Sequence, residues 1–144
     1  MHSFCGHIDR AIGHGVGGTA LAAARHQLEI QLPLALLAPP ADPQTWLEPL
    51  TKKMGASVQS LQQMIQLLET VEQEKLDQFL PERTSQDDCG PTLLMVADQD
   101  LELKANECLR FQNPSTSVLR YDSTVADLVA HPIVLQDLQN WARA

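Results

Sequence analysis

A chain of 144 residues, 44% hydrophobic and 19% charged, is long enough for one domain with a buried core and too apolar for a disordered segment. Its formal charge of −8, with the ten Lys and Arg scattered among eighteen Asp and Glu, argues against a nucleic-acid groove or an anionic membrane surface as partner. Three widely spaced cysteines (Cys5, Cys89, Cys108) with no C-x-x-C fit free thiols in a reducing compartment better than a disulfide framework or a zinc site, so a cytoplasmic protein with no metal and no cofactor is expected.

Residues 1–8 show no clear pattern, and Cys5 with His7 is too sparse to read as a metal pair. No run approaches the roughly 18 apolar residues of a membrane span. One arginine before an alanine-rich stretch, broken by His14 and glycines, is a poor copy of a signal peptide. Asp9 to Ile12 lead into Gly13-His14-Gly15-Val16-Gly17-Gly18, and an alanine-rich helix is expected from Val16 to about Gln27. The apolar run 32–38, closed by Pro39-Pro40, predicts a buried strand of a parallel sheet.

Residues 43–80 read as helical, with Trp46, Leu47 and Leu50, then Leu61, Met64, Ile65 and Leu68, then Leu76, Phe79 and Leu80 at helical spacing. Gly55-Ala56 break the first helix from the second, and Ser57 is the expected N-cap of that second helix. Residues 81–90, with Asp87-Asp88, are a loop by composition. Thr92 to Ala97 predict a second buried strand and 103–111 a helix stopped by Asn113-Pro114. A strand over 117–121 comes next, then a closing helix from Pro132 to Arg143. This alternation is that of a parallel sheet with right-handed crossovers.

The glycine turn fits two corners. Gly13, Gly15 and Gly18 match the dinucleotide fingerprint G-x-G-x-x-G. That site also wants an acidic residue at the end of the next strand, and here Leu37-Ala38-Pro39-Pro40 offers none before Asp42. Gly13 and Gly17 also match the nucleophile elbow G-x-S-x-G, with Gly15 in the serine's place.

Ile12 to Ala20, Leu36 to Pro40, the stretch from Pro91 to Leu103, and the last strand and helix together resemble, in order and spacing, the C-terminal half of an α/β-hydrolase. The resemblance implies a three-layer α/β/α fold with about four mainly parallel strands and a helical cap-like insertion. It implies one domain over 1–144, with the sheet core in 1–42 and 81–144 and the insertion in 43–80. It places Asp100 at the triad acid, Val16 at the one remaining oxyanion-hole amide, and His14, beside Gly13, Gly17 and Gly18, as a structural neighbour in the elbow.

The departures are chemical. Gly15 has no side chain to attack an acyl carbonyl. The base should stand near Val125, inside Asp122-Ser123-Thr124-Val125-Ala126-Asp127, where no histidine occurs. His131 is the nearby alternative, but it directly precedes the proline expected to open the last helix. Losing nucleophile and base together removes about a million-fold of rate. The expectation is therefore a non-catalytic relative of serine esterases, acting by binding or oligomerisation and retaining room for a small acyl ligand. The alternatives are an active hydrolase using a displaced Asp100, His131 and Ser123, and nucleotide binding at Gly13–Gly18. With few residues before the elbow, its strand should be an open edge, covered by a second copy or by a separate N-terminal-half partner.

Overall fold

The computed structural model describes residues 8–42, 47–48, 51–72, 79–84, 90–100 and 105–144. Strands β1 (Ala11–His14), β2 (Leu34–Leu37), β3 (Thr92–Ala97) and β4 (Thr116–Tyr121) form one sheet in that spatial order, every neighbouring pair parallel. The register runs straight across: Ala11 is opposite Leu34, Leu34 opposite Thr92, and Thr92 opposite Thr116. Every residue of β2 and β3 is buried, which explains why these strands read as unbroken apolar runs. β1 and β4 are the two edges.

The described helices are α1 (Val16–Gln27), α2 (Val58–Glu72), α3 (Pro81–Thr84), α4 (Ala105–Leu109), α5 (Val125–Leu128) and α6 (Pro132–Arg143). Right-handed crossovers between adjacent strands place α1 and α4 on one face of the sheet. α6 returns across the other, where the Arg10 guanidinium lies 5.3 Å from the centre of the Trp141 ring and donates to the Trp141 carbonyl. The result is the three-layer α/β/α arrangement expected. Ala22 of α1, Cys108 of α4, the adjoining Phe111, and Val134 of α6 close the core around Leu36, Leu94 and Val96. Arg25 is buried on α1 and ties it to the starts of β2 and β3. Its guanidinium donates to the Leu32 carbonyl (3.2 Å), the Gly90 carbonyl (3.3 Å) and Thr92 Oγ1 (3.0 Å).

Gly55 adopts φ 72 after helical residues 51–53, and α2 starts afresh behind Ser57, whose Oγ accepts the Ser60 N–H at 3.1 Å. That is the expected N-cap. Ser57→Ala should cost about 1 kcal/mol of local helix stability, read as faster hydrogen exchange in the first turn of α2 and unchanged exchange in β3. The apolar stripe of α2 is only half used: Leu61 and Ile65 are buried, but Met64 is 40% and Leu67 63% exposed. Leu61 and Ile65 stand outside the core cluster under the sheet. An open cavity of about 660 Å³ lies along this helix, lined by Val58, Leu61, Ile65 and Glu69 with Asp42 and Glu48 opposite.

Two expectations need correction, and one short element was not anticipated. The polar stretch 81–90 is not all loop. Pro81 opens α3 through Thr84, because proline suits the first helical turn and Arg83 and Thr84 both donate backbone N–H groups to the Leu80 carbonyl. Of the helix expected over 103–111, the described part is helical over Ala105–Leu109 and gives way to a turn at Arg110 and Phe111. The stretch around Val125 is a helical turn, α5, because Thr124 Oγ1 accepts the Asp127 N–H. Cys5, His7, Trp46, Leu50, Leu76, Asp87, Asp88, Cys89 and Leu103 lie outside the described residues. Among those described, no helix is long and apolar enough to cross a membrane.

Candidate functional site

The site begins at the corner between β1 and α1. Gly15 has φ 55 and ψ −130, outside the regions that residues with side chains adopt freely. Its N–H donates to the Leu37 carbonyl at 2.8 Å, the last bond of the β1–β2 ladder. Its carbonyl accepts the Gly18 N–H at 2.9 Å, the first bond of α1, so the chain reverses at a single residue. A Cβ on Gly13 would lie 2.6 Å from Gly18 Cα and 2.8 Å from the Gly17 carbonyl oxygen, which makes glycine obligatory there. A Cβ on Gly18 would be 3.1 Å from the Gly13 carbonyl oxygen. Gly17, the second glycine of the elbow pattern, has open space instead, so the packing requires Gly13 and Gly18 rather than Gly13 and Gly17. The turn after β2 closes against the same corner. Thr19 Oγ1 donates to the Pro40 carbonyl at 2.7 Å, and buried Ala38 is held at φ 44.

Gly15 itself has nothing within 4 Å of where a Cβ would be. Room for a side chain exists at that position, and no side chain fills it. Val16 opens α1 and is 40% exposed, and its N–H has no partner among the described residues. With no acid in the first turn of α1, that end of the helix keeps its positive potential.

Two further groups meet the site at Val125. Asp100 Oδ2 accepts the Val125 N–H at 3.0 Å, and His14 Nε2 donates to the Val125 carbonyl at 3.0 Å. Acid position, elbow neighbour and the place reckoned for the base thus converge on one backbone unit, the first residue of α5. The His14 contact has no signal in sequence beyond the residue's place beside the turn. The α5 cap does have one: Thr124-x-x-Asp127 is a capping pattern.

Asp98, two residues before the acid position, is accounted for elsewhere. Arg120 reaches it with Nη2 at 2.6 Å and Nε at 3.1 Å, and this hydrogen-bonded guanidinium holds the Asp98 carboxyl below the usual carboxylate range. The displaced set is not assembled. Ser123 Oγ donates to the Thr124 carbonyl at 3.1 Å, and His131 caps α6 without a side-chain bond, its ring 6.2 Å from that of Tyr121. His131 Nδ1 is buried with no hydrogen-bond partner among the described residues. None of Asp100, Ser123 and His131 hydrogen-bonds another. Tyr121 donates to Asp137 Oδ2 at 2.7 Å, and burial together with that carboxylate pushes its phenol up.

Cys108 is buried in α4 and burial pushes its thiol up to about 12, so it is a packing residue and no nucleophile. Iodoacetamide at pH 8 should leave Cys108 unmodified in the folded chain and alkylate it fully in guanidinium, as read by peptide mass spectrometry. Among the described residues no group of three or more His, Cys, Asp and Glu could hold a metal ion.

No protein-family model matches the chain, and no curated protein is significantly similar to it. Among solved structures it is similar to one from Mycobacterium tuberculosis H37Rv described as the non-heme bromoperoxidase BpoC. The two superpose with a TM-score of 0.59 at 11% identity, over 93% of this chain and 66% of that one. That protein is an α/β-hydrolase-fold enzyme. This chain is an α/β fold, a four-stranded parallel sheet with flanking helices, that superposes on part of that neighbour's. It spans just under two thirds of the length of that α/β-hydrolase-fold neighbour, and at such low identity the likeness speaks for the fold alone.

Proposed function

We propose that this chain is a non-catalytic α/β-hydrolase-like protein that keeps the backbone of a serine-hydrolase elbow and acts by binding or self-association. The observation that carries the reading is the corner itself: glycine stands at the attacking position, and the Asp100 carboxylate takes a backbone N–H at Val125, the place reckoned for the base. Gly15, at the attacking position, has the strained backbone without the hydroxyl. Acyl transfer needs an oxygen or sulfur nucleophile and a base within hydrogen-bond reach of it; Gly15 supplies no nucleophile, and the imidazole at this corner, that of His14, is engaged with the Val125 carbonyl. What remains is the Val16 N–H, unpartnered among the described residues, over an open space beside Gly15, suited to donating to the carbonyl or carboxylate oxygen of a small acyl ligand.

In the same reading, residues 1–42 and 81–144 form the sheet core of a single domain and 43–80 a helical cap-like insertion. The separate burial of Leu61 and Ile65, apart from the core cluster, supports this division. The partner surface is the outer edge of β1. Nucleotide binding at Gly13–Gly18 is less well supported, because the buried residues 38–41 follow β2 and the first carboxylate is Asp42.

The purified chain should hydrolyse p-nitrophenyl acetate and butyrate no faster than a Gly15→Arg variant. Turnover well above that variant, or a covalently trapped acyl group found by mass spectrometry, would overturn the reading.

A further inference from the structure

We infer that the cavity along α2 binds a slender apolar chain ending in a cationic nitrogen, an alkylammonium in its simplest form. This goes beyond the function proposed above and does not rest on it, because no residue of the Gly13–Gly18 corner lines the cavity.

The sequence builds the floor. Val58, Leu61 and Ile65 are spaced i, i+3 and i+7, so they stack along one side of α2. Val58 is 49% exposed at one end, whereas Leu61 and Ile65 are only 5% and 7% exposed although both line the space. The cavity therefore narrows toward its floor. From Val58 to Glu69 the helix rises roughly 16 Å, a length that suits an extended chain. A docking helix, about 10 Å across with its side chains, is too wide to reach such a floor. The volume of about 660 Å³ is that of a small-molecule site, which typically holds roughly 300–1,000 Å³.

The rim sets the head group. Asp42, Glu48 and Glu69 bring three carboxylates to it, Gln62 and Gln66 add neutral amides, and among the described residues no Lys, Arg or His lines it. Glu48 meets Lys52 at 3.0 Å, but both side chains stand well into water, and such a pair opens at little cost. An ionised carboxylate has about four lone-pair sites, so the partners these acids already have leave room for a ligand's N–H donors. Acids alone would make only a solvated surface. The buried apolar floor beside them is what retains a chain, and the like charges around it favour a cation and oppose the carboxylate of a fatty acid. The net charge of −8 draws the same ligand in from a distance.

n-Octylammonium is the probe. Calorimetry at low salt should give a dissociation constant below about 1 mM, with octanoate and n-butylammonium each at least about tenfold weaker. The first loses the charge match and the second loses four methylenes. In methyl NMR spectra Val58, Leu61 and Ile65 should shift, and Ile12 and Val16 should not. Asp42→Asn/Glu69→Gln should weaken octylammonium about fivefold or more and flatten its salt dependence. Val58→Lys, at a half-exposed position, supplies an ammonium from the chain itself and should abolish binding while the thermal melt persists.

No binding up to about 10 mM would overturn the proposal. So would octanoate binding as tightly as octylammonium, an affinity indifferent to the two rim substitutions, or shifts confined to the corner. A dimer that Val58→Lys breaks would give the cavity to a second copy and overturn it as well. The ester assay reads the corner alone, so the two ideas fail separately.

Discussion

Gly13→Ala should destabilise the chain by about 3 kcal/mol or more, while Gly17→Ala, four residues away in the same turn, should be neutral or stabilising by up to about 1 kcal/mol. The contrast comes from what each added methyl would meet. At Gly13 it would sit 2.6 Å from Gly18 Cα, 2.7 Å from Gly18 N and 2.8 Å from the Gly17 carbonyl oxygen, all backbone atoms. Relief requires β1 and α1 to separate, which breaks the Gly15–Leu37 and Gly18–Gly15 bonds that make the corner. At Gly17 nothing lies within 4 Å, the residue sits in the first turn of α1, and alanine restricts the unfolded chain more than glycine does. Denaturant melts of the two variants against the parent chain decide the matter. Equal losses would mean that the strand and helix do not approach as closely as described.

The second large effect is a gain. Gly15→Ser combined with Val125→His should raise p-nitrophenyl ester hydrolysis at least about tenfold over either single variant. A complete nucleophile, base and acid set is worth about a million-fold, so this is a modest share of it. The space beside Gly15 accepts the new side chain, although its positive φ costs a serine about 1–3 kcal/mol. An imidazole grown from residue 125 starts from the backbone unit that Asp100 already holds at 3.0 Å. The single variants separate the roles: serine alone lacks a base, and histidine alone lacks a nucleophile. Asp100→Asn in the double variant should lower the rate again, as expected for an acid that orients the imidazole. If the double variant is folded and as inert as the singles, Val125 is not the base position. The assignment of the corner as a former serine elbow then loses its main support.

Much of this architecture was legible because its signals are local. α1 over Val16–Gln27, β3 over Thr92–Ala97 and α6 over Pro132–Arg143 have the bounds expected from alanine content, an unbroken apolar run and an opening proline. Ser57 could be named as a cap for the same reason, since its partner is three residues away. α3 and α5 were missed because polar composition outweighed two short capping signals, Pro81 and Thr124. Met64 lies on the stripe expected to be buried yet is 40% exposed, since a stripe of apolar residues says nothing of how much surface is available to cover it.

By itself the sequence determined the alternation that makes a parallel sheet and the absence of an attacking atom at Gly15, since both are matters of residue identity and order. Only the tertiary structure decided that Asp100 and His14, 25 and 111 residues from Val125, converge on one peptide unit, and that Gly18 rather than Gly17 is the partner of Gly13. It also decided which groups of β1 face outward, because hydrogen-bond direction along a strand is set by its neighbour's register and by nothing within the strand. Contacts between distant residues exist only once the sheet has brought its strand ends together.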